Sequence, residues 1–170
     1  MSQPLFTRRL FLASTALGLA ACTAASAREL SKNPETASYS EDEWRKLTEA
    51  EWKARLSPAA FAVLREHGTE RAFTSPLDKE KRVGVYHCAG CDLALFSSEA
   101  KFDSGTGWPS FWEPLPGAMG MSVDRRLFYP RTEYHCARCL GHQGHVFDDG
   151  PAPTGKRWCN NGVALSFRAA

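Results

Sequence analysis

Cys88-Ala89-Gly90-Cys91 and Cys136-Ala137-Arg138-Cys139 repeat one C-x-x-C pattern at two places in the chain, with residues 92–135 between them. Each pair can turn tightly enough to aim two sulfur atoms at one point. Four thiolates around one zinc ion, at about 2.3 Å, form a closed tetrahedral site with no open position for a substrate. The pattern therefore predicts one structural zinc ion that joins two distant hairpins.

The N-terminus carries the pattern of an export signal. Paired arginines, Arg8 and Arg9, stand directly before the apolar run Leu10–Ala21, which contains no charge and is too short to span a bilayer. This combination is typical of the twin-arginine signal, an address that a receptor reads and that is not part of the fold. We therefore predict an export signal over residues 1–27 and a periplasmic or cell-envelope location.

Two processing points are visible near the end of this signal, and the sequence leaves both open. The segment Leu19-Ala20-Ala21-Cys22 resembles a lipoprotein box, in which Cys22 is lipidated and anchors the chain to a membrane. The segment Ala25-Ser26-Ala27 is a small-x-small cleavage site that releases a soluble protein instead. Residues 28–39 are polar, contain Asn33-Pro34 and are predicted to form a flexible linker.

The charge of the exported part is balanced. Removal of residues 1–27 takes away two of the 21 lysines and arginines and none of the 19 acids, which leaves 19 charges of each sign. A neutral body gives no electrostatic reason to expect nucleic acid or an anionic surface as a partner. Residues 40–168 are long enough for one compact domain, and we expect it to be a monomer.

The character of this domain changes near Val83. Before it, three N-cap patterns and one glycine stop predict short helices: Ser40 with Glu43, Thr48 with Glu51, Ser57-Pro58, and Gly68. After it, the predicted strands are short and bounded by turn residues: Val83–His87, Leu93–Phe96, Leu127–Tyr129, Thr132–His135 and Val163–Phe167. The predicted fold class is mainly β, with twisted antiparallel sheets or a small barrel-like core and the N-terminal helices at one side.

Two other uses of the C-x-x-C pairs compete with zinc. Disulfides are common outside the cytoplasm, and a C-x-x-C pair can be redox-active in the manner of thioredoxin. The export signal favours zinc over both, because twin-arginine substrates cross the membrane already folded. Zinc can then be bound in the reducing cytoplasm before the chain meets an oxidant.

One cysteine has no structural role in this scheme. Of the six cysteines, four form the C-x-x-C pairs and Cys22 is either lipidated or removed, so Cys159 is left as a free thiol. A lone cysteine is usually a small buried apolar residue. Arg157 favours a reactive thiol, because in a strand both side chains point to one face and a nearby cation lowers the pKa of a thiol.

Two histidines are close enough in sequence to reach the same cleft as this cysteine. His142 and His145 lie in the glycine-rich stretch Gly141–Phe147. Asp149 follows His145 by four residues and can orient its ring. A thiol, an imidazole and a carboxylate in one cleft are typical of nucleophilic catalysis.

Four segments taken together resemble the type B methionine sulfoxide reductases: residues 68–77, 101–111, 136–147 and 157–161. The similarity runs in order from about Glu41 to Phe167, with both cysteine pairs in register. The resemblance implies a twisted antiparallel β core and one zinc ion held by four cysteines. It also implies thiol-dependent reduction of the R epimer of methionine sulfoxide in oxidised proteins and peptides.

The resemblance also implies a role for each candidate site residue. It makes Cys159 the nucleophile and gives the wall for the substrate methyl group to Trp108 and Phe111. Around the sulfoxide it places four polar residues, with His142 beside them: His145, Asp149, Arg157 and Asn161. The thiolate attacks the sulfoxide sulfur, protonated His145 supplies a proton to the oxygen, and Cys159 becomes a sulfenic acid.

The chain departs from the family at one position that matters for turnover. Many members carry a second, resolving cysteine in a Ser-Gly-Cys-Gly-Trp segment, where this chain has Thr106. The sulfenic acid on Cys159 is then reduced from outside, by a thioredoxin-like protein or a small thiol.

Two functions from other classes compete with this one. A zinc-ribbon binding module explains the four paired cysteines, but it leaves Cys159 and Trp108 without a role and predicts a basic face. A thiol hydrolase that uses Cys159 and His145 is the second alternative.

Overall fold

The structure is a computed structural model that describes residues 39–170. The predicted export signal over residues 1–27 and all but the last residue of the predicted linker lie outside the described residues. Within residues 39–170 no helix combines the length and apolar character needed to cross a membrane.

Two α-helices open the described domain, and both begin where the sequence predicts. α1 covers Glu49–Arg55 behind a complete capping box, in which Thr48 and Glu51 each bond the other's backbone N–H. α2 covers Pro58–Leu64, with Ser57 accepting a hydrogen bond from the backbone N–H of Ala60. Both helices bury apolar side chains in the core: Trp52, Ala60, Phe61, Val63 and Leu64.

Two helix boundaries differ from the prediction. The turn at Glu43–Arg45 is a 3-10 helix, and Asp42, not Ser40, caps it through its side chain. α2 ends before Gly68, because His67 already takes the left-handed conformation at φ 56°. The N–H of Gly68 then donates to the carbonyl of Ala62 at 2.8 Å, which closes the helix end.

The rest of the domain is antiparallel β-structure, which confirms the predicted fold class. Its strands are β1 Gly84–Cys88, β2 Ala94–Ser97, β3 Lys101–Phe102, β4 Ser110–Phe111, β5 Met119–Asp124, β6 Arg131–Cys136, β7 His142–Phe147, β8 Arg157–Asn160 and β9 Leu165–Ala169. They form one three-stranded sheet in the order β2-β1-β9 and one six-stranded sheet in the order β3-β4-β8-β7-β6-β5.

Two predicted strands differ from the structure. One of them is a loop, and the other begins later along the chain. Leu127–Tyr129 belongs to the loop between β5 and β6, where Phe128 is fully exposed and Pro130 precedes β6. The strand of this region is Met119–Asp124, whose mixed polarity reflects its place at the edge of the sheet. At the C-terminus a 3-10 turn covers Gly162–Ala164, so β9 begins two residues after Val163.

A chain of aromatic rings joins the two sheets. Phe96 from the small sheet stacks on Phe111 from the large sheet, with ring centroids 4.1 Å apart and planes within 8°. Tyr86 contacts the edge of Phe111 at 4.9 Å, and Tyr134 packs on Trp158 at 4.9 Å. These contacts bury both rings of the stack completely, so the face of the large sheet that carries Phe111 is its core face.

The stack makes a stability prediction with a matched control. Replacing Phe111 by alanine removes a fully buried ring and leaves a cavity, so we expect the free energy of unfolding to fall by about 3–5 kcal/mol. Phe128→Ala removes the same side chain from the exposed β5–β6 loop and is expected to change it by less than about 0.5 kcal/mol. Denaturant unfolding of both variants measures the difference, and equal losses would contradict the packing described for Phe111.

Candidate active site

One row of side chains runs across the large sheet from strand to strand. The register pairs Ser110 with Cys159, Cys159 with His145, His145 with Glu133, and Glu133 with Ser122. Residues opposite each other in antiparallel strands have Cβ atoms about 4.5–5.5 Å apart and share one face. Pairing alone therefore brings a thiol, an imidazole and a carboxylate side by side, on the face opposite to the aromatic core.

A cavity of about 220 Å³ opens over this row. Its walls come from five parts of the chain: Thr69, Trp108, Arg131, Gly144, His145, Phe147, Cys159, Asn160 and Asn161. The indole of Trp108 is half-buried, and its Nε1 donates to the carbonyl of Glu70 at 3.2 Å. The cavity thus places an aromatic wall opposite a thiol and an imidazole.

Phe111 does not reach this cavity. The prediction that it lines the substrate site is therefore corrected, because the side chain is fully buried against Phe96 and Tyr86. Its neighbour along β4, Ser110, faces the other way and lies beside Cys159 in the row. Strand alternation is the physical reason, since successive side chains point to opposite faces of a sheet.

The environment of Cys159 acts on its thiol in two directions. Burial raises the pKa of Cys159 above its ordinary value, and the positive charge of Arg157 and a hydrogen bond from Thr106 only partly offset this. The net pKa therefore moves up, whereas the sequence predicts a lowered one. The cation is where it was expected, but desolvation outweighs its effect.

Asp149 has a different partner from the predicted one. Both of its carboxylate oxygens accept hydrogen bonds from Arg157, each at 2.8 Å, and the guanidinium lies 4.3 Å from the centre of the Phe147 ring. Asp149 therefore holds Arg157 next to Cys159 and does not orient His145. This bidentate pair fixes the direction of the cation.

Asp124 takes the place predicted for Asp149. The Nε2 atom of His145 lies 2.8 Å from the Asp124 carboxylate, which also accepts from Arg131 at 2.7 Å. Burial lowers the pKa of His145, and the hydrogen bond to Asp124 acts in the opposite direction. With Nε2 engaged, Nδ1 is the ring atom through which His145 can act on a substrate.

His142 is held by a second carboxylate that the sequence does not reveal. Its Nδ1 lies 2.8 Å from Glu133, which also contacts Ser122 at 2.6 Å and His135 at 3.2 Å. Burial alone would raise the pKa of Glu133, but hydrogen bonds from the two histidines and the serine hold it well below its usual range. The imidazole of His142 is 2% exposed and lies 5.4 Å from that of His145.

Asn161 lines the cavity, but both polar atoms of its side chain form hydrogen bonds with the backbone. Its amide nitrogen donates to the carbonyl of Gln143 at 3.0 Å, and its amide oxygen accepts from the N–H of Glu70 at 3.0 Å. These two hydrogen bonds join the 69–70 segment to β7 and to the end of β8. The carbonyl of Glu70 in this segment is the one that accepts the hydrogen bond from the indole of Trp108. The predicted contact of Asn161 with the sulfoxide stays a prediction.

The four paired cysteines converge as predicted. All are buried, and their sulfur atoms lie within 4.8 Å of one another, with Cys91 3.4 Å from Cys136 and Cys88 3.6 Å from Cys139. A tetrahedral zinc site with bonds of about 2.3 Å requires sulfurs about 3.8 Å apart, whereas a disulfide requires about 2.05 Å. The donor set therefore fits a structural metal ion and does not fit the disulfide alternative.

The chain is similar to a known protein family. The sequence profile of the SelR domain family matches residues 56–169. Peptide methionine sulfoxide reductase MsrB from Agrobacterium fabrum is 50% identical over 121 residues, which is 71% of this chain and 90% of the relative. The MsrB from Thioalkalivibrio sulfidiphilus is 48% identical over 134 residues, or 78% and 98% of the two chains.

Plant relatives match over a shorter share of their own length. Peptide methionine sulfoxide reductase B1, chloroplastic, from Arabidopsis thaliana is 50% identical over 129 residues, which is 75% of this chain and 64% of the relative. These matches define the class, a protein with a SelR domain. Within that class the chain belongs to the type B methionine sulfoxide reductase family, which confirms the family predicted from the sequence.

The balance at Cys159 gives a pH-dependent prediction. Arg157→Met removes the charge that lowers the pKa of the thiol, so the pKa is expected to rise further. The alkylation rate of Cys159 by iodoacetamide, measured against pH on metal-loaded protein, should then have its midpoint at a higher pH. The control Lys156→Met removes the adjacent cation, which pairs with exposed Asp148. It should leave the midpoint in place, and an equal shift in both variants would contradict a specific effect of Arg157.

Proposed function

We propose that the domain reduces the R epimer of methionine sulfoxide in peptides and proteins to methionine. The observation that carries the proposal is the direct cross-strand pairing of Cys159 with His145 in a cavity that Trp108 also lines. Membership of the type B family supports the same reaction. Oxidised proteins and peptides are the proposed substrates.

In the proposed reaction the sulfur of Cys159 attacks the sulfoxide sulfur as a thiolate. His145 delivers a proton to the sulfoxide oxygen as the sulfur–oxygen bond breaks. The protonated oxygen moves to the Cys159 sulfur as the bond between the two sulfur atoms breaks, which leaves a sulfenic acid on Cys159 and releases methionine as the thioether. The thiol is oxidised by two electrons and the sulfoxide is reduced by two, so no further reactant enters this half of the cycle.

The neighbouring residues support these two roles. Arg157 favours the thiolate form of Cys159, and Asp124 favours the protonated form of His145. Trp108 offers an apolar surface to the methyl group on the sulfoxide sulfur, and such a wall distinguishes the two epimers by shape. The partial burial of Cys159 and His145 strengthens each of these interactions, because it lowers the local dielectric.

The second half of the proposed cycle uses an external thiol donor. Among residues 39–170 every cysteine other than Cys159 belongs to the buried four-cysteine cluster. Thr106 stands where many family members carry a resolving cysteine, and its side chain hydrogen-bonds Cys159. A thioredoxin-like protein or a small thiol therefore has to attack the sulfenic acid directly.

This mechanism predicts the state of the enzyme after one turnover. Without reductant, one equivalent of methionine should form per chain, and Cys159 should then be trapped by dimedone as a sulfenic acid. Thr106→Cys should instead give an internal disulfide with Cys159, since residue 106 contacts the thiol, whereas Thr106→Ser should behave as the parent chain. Mass spectrometry of the digested protein measures both products. A disulfide in the parent chain between Cys159 and a cluster cysteine would overturn the mechanism.

We also propose that the metal in the four-cysteine cluster is zinc. Sulfur donors in a closed tetrahedral set favour zinc, and such a site stabilises the fold without taking part in the reaction. Elemental analysis of the purified protein should show one zinc ion per chain. Cys159→Ser should abolish methionine sulfoxide reduction and keep this ion, whereas Cys136→Ser should lose the ion and the folded state together. Retained turnover in Cys159→Ser would remove the nucleophile from the proposal.

For the location of the protein we propose export by the twin-arginine route. The support is the sequence pattern of Arg8 and Arg9 before an uncharged apolar run. Substitution of both arginines by lysine should retain the protein in the cytoplasm, and intact mass should distinguish lipidation at Cys22 from cleavage after Ala27. Export that continues in the lysine variant would exclude this route.

A further inference from the structure

A second cavity lies beside the catalytic one, on the same face of the large sheet. Its volume is about 460 Å³, and it shares Thr69, Arg131 and His145 with the catalytic cavity. His67 from the segment after α2 and Glu133 from β6 line it together with His142 from β7. The proposed reaction gives no role to His67.

His67, Glu133 and His142 form a cluster with the chemistry of a metal site. Each offers one donor atom, and the three atoms lie within 4.8 Å of one another. Two imidazoles with one carboxylate are a recurrent donor set for zinc and related divalent ions. Glu133 and His142 are buried, whereas His67 is exposed, so an ion can enter from the side of His67.

A second, independent observation comes from the ring of His142. Its Nδ1 is engaged by Glu133, but its Nε2 is buried without a hydrogen-bond partner among residues 39–170. Buried polar atoms are nearly always paired, so an unpaired imidazole nitrogen indicates a ligand. An ion on Nε2 keeps Glu133 as the carboxylate that orients the ring, an arrangement common in zinc proteins. An ion that lies closer to β6 would instead bind the carboxylate of Glu133 directly. His67 is a ligand in both arrangements.

Arginine side chains lie beside the cluster and contribute positive charge. Arg131 is paired with Asp124 at 2.7 Å, and Arg126 donates to the carbonyl of His67 at 3.3 Å. These arginines disfavour a cation, so affinity has to come from the donor atoms and not from net charge.

We propose that His67, Glu133 and His142 form a second metal site for a divalent transition ion such as zinc, and that an ion bound there slows the reaction at Cys159. The second part of this proposal, inhibition by the bound ion, rests on the proposed function. The two cavities share Thr69, Arg131 and His145, so an ion held by the cluster, with the water molecules that complete its coordination, lies beside the space that the substrate occupies. The ion thereby obstructs the substrate and leaves Cys159 itself untouched.

The binding half is tested without catalysis, in a Cys159→Ser background that removes the reactive thiol as a competing ligand. Calorimetric titration of the zinc-loaded chain with zinc chloride should show one additional ion. His67→Ala in this background should weaken that event by at least about tenfold. His135→Ala is the matched control, since His135 also contacts Glu133 but lies outside the cluster, and it should still bind the ion. No additional ion, or equal binding in His67→Ala, would overturn the site.

The inhibitory half is tested in the first turnover, with Cys159 present and no added dithiol, because dithiols chelate zinc. Zinc chloride should slow methionine formation severalfold in the parent chain. His67→Ala should turn over at the parental rate without added zinc and should resist the inhibition. Equal inhibition of both chains would place the inhibitory ion elsewhere and overturn this half. A parent chain with no turnover before zinc is added would refute the reductase function instead, and the titration would still stand.

Discussion

Four cysteine sulfurs meet between the β1–β2 turn and the β6–β7 turn, and these turns belong to different sheets. Thiolates this close would repel one another, so a metal ion that neutralised them would hold the two turns together. Fixing the second turn also fixes the start of β7, on which His142 and His145 lie. The four-cysteine cluster therefore positions the strand that carries His142 and His145.

Gln143 links the four-cysteine cluster to the strand that carries Cys159. Its amide nitrogen donates to the sulfur of Cys88 at 3.4 Å, and its amide oxygen accepts from Asn160 at 3.2 Å. Asn160 follows Cys159 in β8 and also accepts a hydrogen bond from the hydroxyl of Tyr134 at 2.8 Å. Buried polar networks of this kind are stabilising only when every member is satisfied, which explains why a glutamine is tolerated among apolar neighbours.

The row of side chains from Ser110 to Ser122 lies on one face of the large sheet, and the aromatic core lies on the other. Burial raises the pKa of Cys159 and lowers that of His145, so both groups resist their charged, reactive forms. Arg157 and Asp124 oppose these shifts, one for each group. Because Cys159 and His145 are partly buried and each has its own charged neighbour, the pKa values of the two groups can be adjusted separately although they are adjacent in the sheet.

The sequence by itself determined the family, the four-cysteine cluster, the solitary Cys159 and the predominance of short antiparallel strands. These features are local or follow from spacing, since a C-x-x-C turn and an N-cap such as Thr48 depend only on a few neighbouring residues. Tertiary structure alone decided the partners of the charged groups: Asp124 for His145, Glu133 for His142, and Asp149 for Arg157. It also turned Phe111 into the core and Leu127–Tyr129 into a loop. The physical reason is strand register, because a slip of one residue would turn every side chain to the opposite face, and no stretch of sequence specifies that register alone.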